Sequence, residues 1–150
     1  MSEAARHPDA RLARVIGFYE TLSPDALSRL PEVYSAQAHF KDPFNDVQGQ
    51  ARIRGVFEHM YRTLEAPRFV VRHAVLEGDH AFISWEFRFR LRRLGPQHEH
   101  CIHGATHLAF DDEGRVALHR DYWDAAEELY EKLPALGVLM RWLRRRASSG

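Results

Sequence analysis

The chain has 150 residues, 45% of them hydrophobic and 28% charged. That is one domain's worth of globular sequence, and folding at this length hides roughly 68–70% of the unfolded surface, enough for a core without disulfides or a structural metal. Its 21 basic and 21 acidic side chains cancel, so no overall field draws it to nucleic acid or to an anionic membrane. A single cysteine, Cys101, excludes an intramolecular disulfide, and the opening MSEAARHPDARLAR lacks the apolar stretch of a signal peptide; both point to a reducing, cytoplasmic location. No window approaches the roughly 20 apolar residues of a membrane-spanning helix.

In chain order, Leu12, Val15, Ile16, Tyr19 and Leu22 recur at helical spacing over 11–22. Ser23-Pro24-Asp25 then reads as the start of a short second helix over 25–34. The aspartate, proline, asparagine and glycine of SAQAHFKDPFNDVQG (35–49) predict a brief strand and an irregular loop. A third helix over 50–64 gathers Ile53, Phe57, Met60, Tyr61 and Leu64. From Arg68 the period becomes two, most clearly where Ala81, Ile83, Trp85, Phe87 and Phe89 interleave with Ser84, Glu86, Arg88 and Arg90. Turn residues at 77–79, 95–96 and 111–114 divide the rest into strands over 68–76, 81–90, 97–110 and 115–124, an antiparallel meander. AAEELYEKL and PALGVLMRWLRRR predict a terminal helical region bent at Pro134 and Gly137. The result is a single α+β domain over 1–150, helices packed on a curled, mostly antiparallel sheet.

Three segments, FYETLSPDAL, HFKDPFNDVQG and VALHRDYWD, together with this order of elements, resemble the nuclear transport factor two-like superfamily, which includes ketosteroid isomerases, limonene epoxide hydrolases and SnoaL-like polyketide cyclases. The resemblance covers nearly the whole chain. It implies a conical domain with a deep apolar cavity between helices and concave sheet, often dimerising through the sheet; an enzyme reading calls for no cofactor, and a homodimer is expected.

Alternation puts His119, Asp121 and Trp123 on one strand face, and the resemblance places that face inside. Asp121 matches the aspartate that epoxide hydrolases carry in a similar RDY segment. A carboxyl group in an apolar cone has its proton affinity raised by desolvation, which suits proton transfer near neutral pH; equally, such a group can belong to a structural network. His119 is placed to be its proton-transfer partner, or simply to satisfy a neighbour. Asp42, before Pro43, matches the general base of ketosteroid isomerases, and Asp-Pro is also an ordinary turn pair.

The remaining catalytic sets are broken. Where the isomerases carry their oxyanion-binding tyrosine and aspartate, this chain has Phe18, with Tyr19 one residue off, and Thr106. Where the hydrolases carry arginine and aspartate on the central strand it has Trp85 and Phe87, and their tyrosine and asparagine correspond to Phe40 and Asp42. The resemblance implies a substrate-facing lining of Phe18, Tyr19, Phe57, Tyr61, Phe69, His73, Trp85, Phe87, Thr106 and Trp123, of which Phe57, Tyr61, Phe69, Trp85 and Phe87 are core by default and meet a ligand only if the cavity is left unfilled. Two functional readings remain. One is an enzyme using a carboxylate for isomerase, cyclase or hydratase chemistry on a small apolar molecule. The other is a non-catalytic module that binds a hydrophobic ligand or a protein.

HEHCIHGATH (98–107) invites a metal reading, but strand alternation puts His98 and His100 on the face opposite His103 and His107, too few on either for a site. His103 and His107, with Cys101, Ala105 and Ala109, fall on the outer face, where a second copy would cover them. The arginines following Leu139 and Leu143 complement a helix end, or allow contact with a membrane surface.

Overall fold

The computed structural model describes residues 2–91 and 97–128, together with positions 138, 141, 142, 145 and 147. Asp9 opens the first helix, α1 (Ala10–Glu20), its side chain accepting from the backbone N–H groups of Arg11 and Leu12. A 3-10 turn (Asp25–Arg29) leads into the single-turn α2 (Leu30–Val33), so the second predicted helix is split where Pro31 occupies the first turn. Then follow β1 (Tyr34–Lys41), β2 (Asp46–Gln48), α3 (Gln50–Thr63), β3 (Leu64–Glu77), β4 (His80–Leu91), β5 (Glu99–Phe110), β6 (Val116–Tyr122) and α4 (Ala125–Glu128). The stretch expected as one brief strand and a loop is thus an eight-residue strand and a partner. The expected bent terminal helix lies mostly outside the described residues, as does its suggested membrane contact. No helix among the described residues is long and apolar enough to cross a membrane.

The six strands form one curved, unclosed sheet in the order β2-β1-β6-β5-β4-β3, antiparallel except where β1 runs parallel to β6. Its rows fix what faces the helices. Ile83, Thr106 and Asp121 are aligned across β4, β5 and β6, and so are Phe69, Phe87 and Ile102 across β3, β4 and β5. These rows face inward. The row of Val75, Phe82, His107 and Arg120, next to that of Ile83, faces outward, and there Val75 and Phe82 are exposed. Across this pleat a one-residue slip would exchange the two sets.

The helical layer closes the concave side with Leu12, Val15, Ile16 and Phe18 from α1 and Ile53 and Phe57 from α3, all buried. Arg11 fastens α1 to the β3–β4 turn, 2.8 Å from Asp79 and 3.0 Å from the Gly78 carbonyl. At its other end Glu20 accepts from the backbone N–H of Val71 at 3.1 Å, beside a register shift in β3 between Val71 and His73. Gly104 gives the sheet room for a large ring: a Cβ there would stand 2.6 and 2.8 Å from Cζ2 and Cζ3 of Trp85.

Candidate functional site

Between the helices and the sheet lies a cavity of about 340 Å³, lined by apolar and aromatic side chains from α1, α3 and the concave strands. Phe57, Met60 and Leu64 form one wall and Phe69, Trp85, Phe87 and Phe89 another, while Phe44 and Trp123 meet edge to face with ring centroids 5.7 Å apart. Such a pocket, largely apolar with a few convergent polar groups, is the usual form of a small-molecule site.

The polar groups form one connected chain along its floor. Trp85 donates its indole N–H to Thr106 Oγ1 at 2.7 Å, and the Thr106 hydroxyl donates to Asp121 Oδ1 at 2.5 Å. The same Oδ1 lies 2.8 Å from His119 Nε2. These groups converge because Thr106 and Asp121 are directly opposite on β5 and β6 and His119 is two residues earlier on the same strand face. His119 is 2% exposed, stacked on Phe40 with centroids 4.4 Å apart.

On its far side, His119 Nδ1 lies 2.9 Å from the Tyr34 hydroxyl and 3.2 Å from that of Tyr19, and the two hydroxyls bond to each other. With the imidazole proton on Nε2, directed at Asp121, Nδ1 is an acceptor. Tyr19 then donates to Tyr34 and Tyr34 to Nδ1, and each polar hydrogen of this cluster has a partner. A proton on Nδ1 would leave one tyrosine O–H without an acceptor. Burial pushes both tyrosine hydroxyls far above their ordinary proton affinity, with the Asp121 charge adding to the effect. They act as fixed neutral hydroxyls. Among the described residues, Asp121 Oδ2 has no hydrogen-bond partner.

Asp42 lines the same cavity, but its carboxylate is engaged by its own loop. Oδ1 accepts from the Phe44 and Asn45 backbone N–H groups at 2.7 and 2.6 Å, and Asn45 Nδ2 lies 2.9 Å from Oδ2. This is an Asx turn that shapes the cavity mouth.

The structure therefore brings together Asp121, His119, Asp42, Tyr19, Phe57, Phe69, Trp85, Phe87, Thr106 and Trp123 around one space. Three expected lining residues lie elsewhere. His73 is on the outer face, 3.1 Å from Ser84 Oγ, because the irregularity in β3 after Val71 reverses the alternation that would have pointed it inward. Phe18 is packed at 1% exposure against the edges of Tyr19 and Phe57. Tyr61 is turned away from the cavity that Met60 lines, its hydroxyl pKa pushed up to about 12 by burial. Conversely, Tyr34 carried no signal as a site residue in the sequence. It opens β1 directly after Val33, and a register shift follows it between Tyr34 and His39.

The histidine-rich segment divides as alternation predicts. His98 and His100 adjoin each other, whereas His103 lies 3.8 Å from Glu128 and His107 is 2.9 Å from His80. Among the described residues, no group of three or more His, Cys, Asp or Glu side chains is gathered to hold a metal.

Solved structures with the same fold include a Catenulispora acidiphila protein with a ketosteroid isomerase-like fold in complex with trimethylamine. It is 19% identical with TM-score 0.66, over 80% of this chain and 89% of that one. An LEH-like epoxide hydrolase from M. tuberculosis is 15% identical with TM-score 0.67, over 92% and 94% of the two chains. A putative isomerase of the SnoaL-like family from Agrobacterium tumefaciens is 16% identical with TM-score 0.62, over 76% and 94%. At these identities the likeness shows the fold alone. No curated protein matches the chain by sequence. The model of the SnoaL-like domain matches residues 15–119, which run from the second half of α1 through the Asx-turn loop and the sheet as far as His119: the chain belongs to the SnoaL-like domain family.

Proposed function

We propose that this protein is a cofactor-independent enzyme in which Asp121 moves a proton on a small, mostly apolar substrate held in the cone. The observation that carries the reading is the hydrogen-bonded pair of Asp121 and His119 on the floor of an aromatic-lined cavity. A general base must reach the proton it takes, and its neighbours must hold it in one orientation. Thr106 and His119 fix Oδ1, which leaves Oδ2 as the basic atom. On accepting a proton from a carbon acid, Asp121 becomes a donor that can return it to another position of the substrate. Isomerisation, ring closure and hydration all fit this scheme. His119 positions the carboxylate and Asp42 holds the mouth in shape.

Exchange in D2O tests this with surrogate compounds in place of the natural substrate. Carbonyl compounds with apolar ring systems are incubated with the protein and their mass gain is compared with that in buffer. Catalysed deuterium uptake supports the enzyme.

A second reading, a hydrophobic-ligand-binding module, is favoured by one observation: the other cavity carboxylate, Asp42, is saturated by its own turn. Ligands that bind but never exchange would establish it. We further propose a cytoplasmic homodimer associated through the outer sheet face, where Val75, Phe82 and Tyr122 are exposed beside the stacked Phe82 and His107 rings.

A further inference from the structure

The charges and donors around the cavity are unequally distributed. Among the described residues that line it, the carboxylates of Asp42 and Asp121 are present and no lysine or arginine is. The polar hydrogens nearby are already committed: Trp85 N–H to Thr106, Thr106 O–H to Asp121, Asn45 Nδ2 to Asp42, Thr63 O–H to the His59 carbonyl, and Tyr19 O–H within the tyrosine pair. The basic groups of the adjoining groove lie on the opposite face of the sheet, with Lys41 3.5 Å from Asp46 and Arg120 over the Tyr122 ring. Among the described lining residues, His59, exposed on α3, is the other titratable group at the rim. The space offers acceptors and aromatic faces and has few donors to give.

Such a lining suits positive charge. An anionic ligand would find no opposite charge and few donors for its oxygens, while a cation meets carboxylate charge and the negative faces of aromatic rings in a site of low dielectric. Phe44 and Trp123 stand at the same end of the cavity as Asp42 and Asp121. We propose that the ligand class of this cavity is an organic ammonium ion with an apolar body, its cationic end between Asp121, Phe44 and Trp123 and its body among Phe69, Trp85 and Phe87. The proposal deepens the proton-transfer reading, since it places the charged end of the substrate beside the carboxylate that acts on it.

The test is binding, read by quenching of the cavity tryptophans and by calorimetry on the full chain, with three probes of matched size: benzyltrimethylammonium, its neutral isostere neopentylbenzene, and the anion 3-phenylpropanoate. The cation is expected to bind at least tenfold more tightly than the neutral probe, and the anion more weakly than either. In Asp121→Asn the preference for cation over neutral probe falls to within about threefold. The preference in the unaltered protein stands as evidence whether or not that variant folds. Equal or tighter binding of the neutral probe or the anion overturns the proposal, as does failure of all three to bind or a preference undiminished in a folded Asp121→Asn. None of the probes need react, so a failure here leaves deuterium exchange to judge proton transfer separately.

Discussion

His119 Nε2 lies 2.8 Å from Asp121 Oδ1, and on its opposite edge Nδ1 lies 2.9 Å from the Tyr34 hydroxyl. One buried ring thus ties the carboxylate at the end of β6 to the first residue of β1. Removing the Tyr34 hydroxyl should cost little alone, because Tyr19 at 3.2 Å can donate to Nδ1 in its place. Tyr34→Phe is expected to lose about 1 kcal/mol of stability, and the double variant Tyr19→Phe with Tyr34→Phe more than the sum of the single changes, since it leaves Nδ1 buried without a partner. Denaturant titrations of the four proteins read that coupling.

Gly104 is required by the indole above it rather than by its own backbone angles. Gly104→Ala places a methyl group against Trp85 and must displace the ring that holds Thr106 towards Asp121. We expect a loss of about 1–3 kcal/mol, with a shifted tryptophan emission maximum. An unchanged melting temperature and spectrum would show that the ring has room to retreat.

On the outer face, hydrogen bonds from Arg72 and Arg88 hold the Glu86 carboxyl down to about 2, from an ordinary value of 4.5. Because the folded value is the lower one, this stability is present in full above pH 4.5 and is lost as pH falls through the interval down to about 2. Glu86→Gln should therefore melt below the parent at pH 7, with the gap closing towards pH 2. Arg72 and Arg88 are half and one-third exposed, so salt should shrink the difference at neutral pH.

Ala105 sits in the outward row with Ser84 and Tyr122, at the centre of the face proposed to meet a second copy. Ala105→Asp should convert a dimer on gel filtration into a monomer, with its far-ultraviolet circular dichroism unchanged. A parent protein that elutes as a monomer would remove this part of the account.

The sequence was most legible where alternation was strict. In β4 and β5, Ile83, Trp85, Phe87, Ile102 and Thr106 stand on the face their spacing assigns, because long antiparallel pairing leaves the pleat undisturbed. It misled at irregularities: His73 follows a register shift beside the Val71 N–H that Glu20, from a distant helix, accepts, and no local pattern contains that shift. Tyr34 was invisible for a similar reason. Its neighbours read as the end of a helix, and its partner His119 is 85 residues away. Asp42 shows the limit of a matched position: the residue type and its proline agree with a general base, while the donors that occupy its oxygens arrive from Phe44 and Asn45 through the turn itself.

Proton transfer in this cavity is assigned here to Asp121 as the base. Its most direct test compares the unaltered protein with Asp121→Asn in the D2O exchange assay, after both are shown by tryptophan quenching to bind the same exchanging compound. With Asp121 as the base, exchange falls by about 10²–10⁴-fold in the variant while binding of a neutral compound persists. Exchange at the parental rate in a folded, ligand-binding Asp121→Asn would contradict it.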